Sequence, residues 1–175
     1  MTRARGCLGA GALLATALVS FVARAERDVV TPGTACRPVK ADVDKISYNN
    51  GSASNENTST ATVVCPILNM NDTEGLTPPD TSVPVKLEMR VIDRNGSSGK
   101  NFVCTLSIFD QFDTVTNPIV TVTASSSGSS SSIQKLNIAI PAGHDGQVMS
   151  VTCTFPGTSS GTQSELLDYR LFQSP

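Results

Sequence analysis

The sequence lacks several residue types on which common kinds of function depend. Its 175 residues include one histidine, which disfavours a metal site with several histidine ligands. They include two tyrosines and no tryptophan, which disfavours a flat aromatic platform for sugar rings. Thirteen basic residues against fifteen acidic ones give a net charge of −2, without the basic excess that is typical of nucleic-acid-binding proteins. Beyond the N-terminal segment, no apolar run reaches the ~18 residues of a membrane-spanning helix. We therefore expect no nucleic-acid partner, no cofactor and no transmembrane segment in the mature chain.

The first 25 residues have the pattern of a secretory signal peptide. Two arginines precede an apolar, uncharged stretch at 8–22, and Ala23-Arg24-Ala25 matches the small-x-small motif that signal peptidase cleaves. A short membrane anchor is the alternative, which the shortness of the apolar stretch disfavours. The sequence thus predicts a bacterial signal peptide over 1–25, a single domain over 26–175, and export to the periplasm, the cell surface or the extracellular medium.

The mature chain is more acidic than the whole sequence. Removing the segment takes away Arg3, Arg5 and Arg24 but no acid, which leaves ten basic and fifteen acidic residues and a net charge of −5. That charge disfavours anionic partners such as DNA, teichoic-type polymers and acidic lipid surfaces.

Four cysteines remain in the mature chain: Cys36, Cys65, Cys104 and Cys153. An even number in an exported protein predicts two disulfide bonds. Three pairings are possible, and we favour Cys36–Cys65 with Cys104–Cys153 because each joins neighbours among the strand patterns. A zinc site is the alternative, but no two of the four have the Cys-x-x-Cys spacing of a zinc knuckle.

Alternation of apolar and polar residues dominates the mature chain, and no segment has a convincing helical period. The clearest strand runs over 83–91, where valine, leucine and methionine alternate with charged residues. It leads towards Asn95-Gly96, a pair that favours a tight reversal, and a second alternating strand follows over 102–108. We predict that these two strands form a β-hairpin.

Weaker strand patterns occur elsewhere. They lie over 45–49, 60–68, 119–123, 133–140 and 147–155, and a C-terminal one alternates through Leu167, Tyr169 and Leu171. Polar segments separate them, including a serine run at 125–132 that we expect to be a flexible loop. About eight short strands arranged in this way predict an all-β fold: a single antiparallel β-sandwich stapled by two disulfides.

The order of the cysteine and strand-end motifs resembles that of a known group of proteins. The motifs are Cys36-Arg37-Pro38, Tyr48-Asn49-Asn50-Gly51, Val64-Cys65-Pro66, Val91-Ile92-Asp93-Arg94, Val103-Cys104-Thr105-Leu106, Thr152-Cys153 with Pro156, and Leu167-Asp168-Tyr169-Arg170. This arrangement resembles small secreted β-rich proteins of Gram-negative bacteria, including myxobacteria, that carry four cysteines. The resemblance covers nearly the whole mature chain. It implies a fold and transfers no catalytic or binding residue.

His144 is the only residue of the usual general-base type, and it lies in a glycine-flanked loop. A serine hydrolase would combine it with Asp145 or Asp168 and one of the many serines. Adjacent residues such as His144 and Asp145 seldom act as base and orienting group, because their side chains diverge. We interpret His144 as an exposed turn residue and expect that the protein is not an enzyme; a secreted hydrolase that uses His144 is the alternative.

A segment that begins at Asp93 has oxygen-bearing side chains at alternate positions, as a calcium loop does. An EF-hand loop would need glycine at the sixth place and glutamate at the twelfth, where this sequence has Ser98 and Cys104. We interpret the segment as the turn of the predicted hairpin and predict no metal site.

Paired carboxylates are the remaining catalytic pattern. Asp110 with Asp113, or Asp42 with Asp44, are candidate pairs for glycoside hydrolysis. No aromatic residues gather near them to hold a sugar, so we interpret them as solvated loop acids.

Carbohydrate binding is an attractive function for a secreted β-sandwich. Such sites usually stack sugar rings on aromatic faces, but Tyr48 and Tyr169 both lie in strand patterns that predict core or hairpin packing. The sequence therefore predicts a secreted, non-catalytic structural or interaction module whose loops meet an unknown protein or glycan partner. A carbohydrate-binding module is the alternative.

Overall fold

The computed structural model describes residues 28–67, 85–95, 100–109, 118–141, 147–159 and 161–173. The predicted signal peptide, His144, Asp110 and Asp113 lie outside these ranges. Two antiparallel sheets pack against each other through one hydrophobic core, so the predicted all-β sandwich is confirmed. No helix within the described ranges is long and apolar enough to cross a membrane.

Eleven strands lie in the described part of the chain. They are β1 (Asp28–Pro32), β2 (Arg37–Pro38), β3 (Ile46–Asn49), β4 (Ser52–Asn55), β5 (Ala61–Pro66), β6 (Val85–Ile92), β7 (Val103–Phe109), β8 (Val120–Ser125), β9 (Gln134–Ala139), β10 (Val148–Phe155) and β11 (Glu165–Gln173). Two short 3-10 helices, Gly33–Ala35 and Lys40–Asp42, flank β2. The three strands beyond the predicted eight are β1, β2 and β4, in which apolar and polar residues do not alternate regularly.

Sheet A has the strand order β3-β4-β11-β6-β9, and β1 also pairs with β11. β4 pairs with the start of β11 at Glu165 and Leu166, whereas β1 pairs with its later part from Asp168 to Phe172. Sheet B has the order β2-β5-β10-β7-β8. The face of each sheet that points away from the other sheet is called its outer face below.

The predicted hairpin between the strands at 83–91 and 102–108 is wrong. β6 pairs with β11 and β9 in sheet A, whereas β7 pairs with β10 and β8 in sheet B. The chain between them therefore crosses from one sheet to the other. Alternation shows which face of a strand is buried but not which strand lies beside it, because both sheets bury an apolar face.

A buried polar cluster, the Asp93 cluster, fixes this crossover. The Asp93 carboxylate accepts hydrogen bonds from the backbone N–H groups of Asn95 (3.1 Å) and Phe102 (3.0 Å) and from the hydroxyls of Ser164 (3.1 Å) and Ser126. These residues follow β6 and β8 and precede β7 and β11. The cluster therefore joins the two sheets, and four donors satisfy the buried carboxylate.

The serine run at 125–132 is more ordered than a flexible loop would be. Ser126 is buried in the Asp93 cluster and also accepts the N–H of Phe102 at 2.9 Å. The N–H of Ser127 donates to the Gln134 side chain at 2.9 Å. Short hydroxyl side chains satisfy buried backbone groups here, which composition alone does not show.

The inner faces of both sheets form one core. Its fully buried large side chains include Leu87, Met89 and Val91 of β6, Leu106 and Ile108 of β7, Val151 and Phe155 of β10, and Leu166 of β11. The rings of Phe102 and Phe155 contact each other with centroids 4.5 Å apart. All of these positions except Leu166 agree with the apolar faces that the alternation predicts.

Both favoured disulfide bonds, Cys36–Cys65 and Cys104–Cys153, are present. Cys104 and Cys153 lie directly opposite each other on β7 and β10. Cys36 immediately precedes β2, which pairs with β5 beside Cys65. All four cysteines are buried in the core, and both bonds join neighbouring strands within sheet B.

The predicted C-terminal alternation is wrong at Leu167. A register shift between Leu166 and Asp168 inserts one extra residue into β11 opposite β6. Leu166, Tyr169 and Leu171 are therefore the buried residues, and Leu167 is only partly buried. Such a β-bulge re-aims the side chains beside it, and no residue type in this segment signals it.

Candidate functional site

An open groove lies on the outer side of sheet A, where β1, the β3–β4 turn and the bulge of β11 meet. Its volume is about 380 Å³. Val30 and Pro32 of β1, turn residues 50–52, and Glu165, Leu167 and Asp168 of β11 line it. The groove is therefore assembled from three segments that are far apart in sequence.

The β3–β4 turn forms one wall of the groove because of its sequence. Asn50 and Gly51 both have positive φ values, 48° and 87°, as the two central residues of the tight turn favoured in hairpins require. The carbonyl of Gly51 accepts the N–H of Thr34 at 3.1 Å, which fixes the turn against the chain after β1. The polar segment after Asn49 thus contains a hairpin turn and strand β4.

Two carboxylates stand at the bulge, and each is held by an arginine. Asp168 accepts two hydrogen bonds from Arg90, with the Nε–Oδ1 distance at 2.7 Å, and Glu165 pairs with Arg94. The hydrogen bond from Arg90 to Asp168 raises the pKa of the arginine above its usual value. The charge of each carboxylate is therefore balanced by a guanidinium on the neighbouring strand or loop, and both acidic residues line the groove.

Apolar side chains complete the groove. Val30 is exposed, and Leu167 and Pro32 lie near it. A surface that combines hydrogen-bond acceptors with small apolar contacts suits the binding of a polar organic ligand. The groove is less suited to proton transfer, because an arginine already forms an ion pair with each carboxylate.

Beside the groove, the outer face of sheet A carries a network of ion pairs. Glu88 of β6 lies between Arg170 of β11 at 3.1 Å and Lys135 of β9 at 3.2 Å. The Arg170 guanidinium also lies over the Phe172 ring, 4.8 Å from its centroid. These ion pairs run across β11, β6 and β9. Arg90 of β6 lies on the same face, and its partner Asp168 lines the groove.

Only some of the candidate catalytic residues lie in the part of the chain that the structure describes. His144, Asp145, Asp110 and Asp113 lie outside the described residues. Asp168 lies in the groove, where Arg90 binds it.

The Asp42–Asp44 pair is not a carboxylate pair in the structure. Asp42 is buried, accepts the N–H of Thr62 at 2.8 Å and lies 2.7 Å from the Lys45 ammonium, whereas Asp44 is exposed. The hydrogen bond from Lys45 lowers the pKa of Asp42. Asp42 therefore anchors the segment after β2 to β5.

Sequence reasoning against a serine hydrolase missed one motif: residues 157–161 match the Gly-x-Ser-x-Gly pattern of a nucleophile turn. That motif needs a strand, a sharp turn and then a helix, but here β10 precedes the segment and β11 follows it. The N–H of Ser159 donates to Asn95 at 3.2 Å, and a Cβ at Gly157 would overlap the Thr58 carbonyl oxygen. Close backbone packing therefore explains this glycine.

Both tyrosines have structural contacts that join the sheets. The Tyr169 hydroxyl donates to the carbonyl of Pro66 in sheet B, and the Tyr48 hydroxyl donates to the carbonyl of Cys36 at 2.9 Å. The packing that the strand patterns predict for them agrees with these contacts. Sequence reasoning named Asp168 only as a candidate hydrolase residue and missed the other residues of the groove, although Asn50-Gly51 was a usable turn signal.

No protein-family model matches the chain, and no curated protein is similar to it. Among solved structures, the N-terminal modules of endo-1,4-β-D-xylanase 10B from Clostridium thermocellum, in complex with xylohexaose, match with a TM-score of 0.50 and 14% identity. The match covers 83% of this chain and 27% of that chain.

Two further matches are weaker. A low-affinity xylan-binding module of family 86 from Roseburia intestinalis has a TM-score of 0.48 and 11% identity over 85% of this chain and 96% of its own. A family 29 carbohydrate-binding module from Piromyces equi has a TM-score of 0.46 and 11% identity over 86% and 91%. At such identities the xylanase match shows a shared fold and no more.

Proposed function

We propose that this chain is an exported, non-catalytic binding module that takes an oligosaccharide in the groove beside the β11 bulge. The observation that carries the proposal is the pair of arginine-held carboxylates, Glu165 and Asp168, which line the groove beside Val30 and Leu167. Sugar hydroxyls donate hydrogen bonds to carboxylates, and such charge-assisted bonds are the stronger ones. The C–H surfaces of a sugar ring fit the apolar side chains.

The names of the similar structures support this proposal, because they mention carbohydrate ligands. The xylanase structure contains xylohexaose, and the family 86 module binds xylan. A fold hosts many functions, so the groove of this chain carries the proposal and these names indicate which polysaccharides to test first.

Export is part of the proposal. Disulfide bonds persist in oxidising compartments, and this chain has two of them. The periplasm, the cell surface and the extracellular medium all satisfy this condition. The signal peptide over 1–25 stays a prediction.

Recognition in this groove depends on polar contacts. The groove contains no aromatic side chain within the described residues, and stacking contributes much of the affinity where it occurs. We therefore expect weak binding that is governed by hydrogen bonds.

Affinity electrophoresis through gels that contain xylan, β-1,4-galactan or glucomannan tests the proposal. We expect retardation by at least one polysaccharide. Glu165→Gln and Leu167→Ala should each weaken binding about tenfold, as expected for one lost charge-assisted hydrogen bond or a comparable apolar contact. Thr123→Ala, on the outer face of sheet B, is the control and should bind like the parent protein.

Two results would contradict the proposal. One is the absence of retardation by every polysaccharide. The other is equal loss of binding in the Thr123 variant, which would place the site elsewhere. Thermal unfolding of each variant shows whether a loss reflects the site or the fold.

A further inference from the structure

We propose that the oligosaccharide is acidic and that its carboxylate binds between Arg90 and Lys135, next to the groove. This inference rests on the proposed function and specifies its ligand class. It follows from the way that charges are layered on the outer face of sheet A.

Arg90 and Lys135 form a pair of like charges. They lie directly opposite each other on β6 and β9, where side chains on one face start only about 5 Å apart and like charges are destabilising. They are also the most exposed members of the ion pairs on this face, at 43% and 56% of their side-chain surface. An anion bound between them would relieve the repulsion.

The acidic partners of these cations lie deeper than the cations do. The side chain of Glu88 is 6% exposed and that of Asp168 is 13% exposed. A ligand that approaches this face therefore meets guanidinium and ammonium groups first. One carboxylate, Glu88, is shared by Lys135 and Arg170, so this group of three carries a net positive charge.

Sheet A as a whole has no excess of acidic residues. Its strands contain four basic and four acidic residues: Lys86, Arg90, Lys135 and Arg170 against Asp28, Glu88, Glu165 and Asp168. The chain without residues 1–25 has ten basic and fifteen acidic residues and a net charge of −5. Net charge had predicted that anionic partners are disfavoured, but the charge of the local surface decides what binds there.

The arrangement of strands connects this cation pair to the groove. Pro32, Asp168, Arg90 and Lys135 lie in one row across β1, β11, β6 and β9. Neighbouring strands are about 4.8 Å apart, so Lys135 lies about 10 Å from the groove wall at Asp168. A sugar in the groove would place a carboxylate of its neighbour or branch over Arg90 and Lys135.

A single polysaccharide in two forms tests the inference. The probe is xylan substituted with glucuronic acid, and its matched control is the same polymer after its carboxyl groups have been reduced to alcohols. We expect the native form to bind about tenfold more tightly, as for one charge-assisted hydrogen bond. We also expect this preference to fall as salt rises, because screening weakens exposed charges.

A variant pair locates the carboxylate. Lys135→Gln leaves Glu88 its bond to Arg170 and should abolish the preference for the native polymer without weakening binding to the reduced one. Lys100→Gln removes the same charge from an exposed residue outside sheet A and should keep the preference. Loss of the preference in both variants would show that net charge is responsible and would overturn the proposed site.

The outcomes separate this inference from the proposed function. Equal binding of both polymers, or binding of neutral polysaccharides only, overturns the acidic ligand and leaves an oligosaccharide-binding module. Equal affinity for a DNA duplex would show unspecific attraction of anions and would also overturn it. If no polysaccharide binds at all, the proposed function fails and this inference fails with it.

Discussion

The two sheets of the sandwich hold their neighbouring strands together by different means. Sheet B has both disulfides on its buried face, and four of its five strands contain no charged residue. Its outer face has hydroxyl contacts, such as Thr105 with Thr123 at 3.0 Å. Within the described residues, sheet A has no disulfide and is crossed instead by ion pairs on its outer face.

This difference separates the tasks of stability and binding. A disulfide contributes a few kcal/mol to stability. An ion pair whose cation stays partly exposed to water contributes less, about 1 kcal/mol. The charges of sheet A are therefore a weak means of holding strands together. They are better explained as a surface for a ligand on a scaffold that the disulfides and the core already fix.

The largest expected effect comes from cutting the Asp93 cluster, which belongs to both sheets. Asp93→Ala leaves the backbone N–H of Asn95 and the hydroxyls of Ser126 and Ser164 without their acceptor, while the N–H of Phe102 keeps the Ser126 hydroxyl. We expect a loss of about 3–5 kcal/mol of unfolding free energy. Denaturant titration followed by circular dichroism measures it. Asp44→Ala removes an exposed carboxylate and should cost under about 0.5 kcal/mol. A loss below about 1 kcal/mol at Asp93 would show that the sheets are joined by the core alone.

Removing the disulfides tests how much these covalent bonds of sheet B contribute to stability. The bond Cys104–Cys153 closes a separation of 49 residues and Cys36–Cys65 one of 29. A disulfide reduces the conformational entropy of the unfolded chain, and for loops of these lengths the resulting stabilisation is about 4 kcal/mol and about 3.5 kcal/mol, respectively. Replacing either pair by alanine should therefore lower the unfolding free energy by a similar, large amount, measured by denaturant titration. A loss near zero for one pair would mean that its strands are held by the core without it.

The cysteines also show what the sequence could predict. Alternation predicts that cysteines on apolar strand faces are buried, because such a residue is buried wherever its strand lies. The preference for neighbours among the strand patterns then leads to the correct pairing. The partner of each strand is not encoded in the alternation. The strands at 83–91 and 102–108 therefore look like a hairpin although Asp93 carries the chain into the other sheet.

The candidate site was less predictable than the fold. Leu167 follows the alternation of Tyr169 and Leu171, and only the pairing of β11 with both β4 and β6 reveals the bulge that brings Leu167 to the groove. The exposed pair of Arg90 and Lys135 likewise depends on the register between β6 and β9. Residues that are neighbours only through long-range pairing leave no local pattern in the sequence.

A smaller effect is expected for the ion pairs of sheet A. Glu88→Gln should lower the unfolding free energy by about 1 kcal/mol, because both cations that it binds are partly exposed and can be hydrated. The loss should shrink in high salt. Glu56→Gln changes an exposed acid outside this network and serves as the control. A loss above about 3 kcal/mol would place sheet A beside sheet B in the strength of its cross-strand links and would remove the contrast between them.

The smallest effect at neutral pH concerns the two tyrosines that reach across the sandwich. Burial raises the pKa of Tyr169 and of Tyr48 above the usual value of 10.0. Since the chain has no tryptophan and two tyrosines, tyrosinate absorbance reports these two groups, and we expect both to ionise later in the folded protein than after denaturation. Their contribution to stability is complete below the unfolded pKa of about 10 and is lost as pH rises through the folded values. Tyr169 is the more buried of the two and should ionise at the higher pH. Tyr169→Phe should therefore remove the later rise in tyrosinate absorbance, whereas Tyr48→Phe should keep it. Ionisation of both groups at pH 10 in the folded protein would show that neither hydroxyl is held between the sheets.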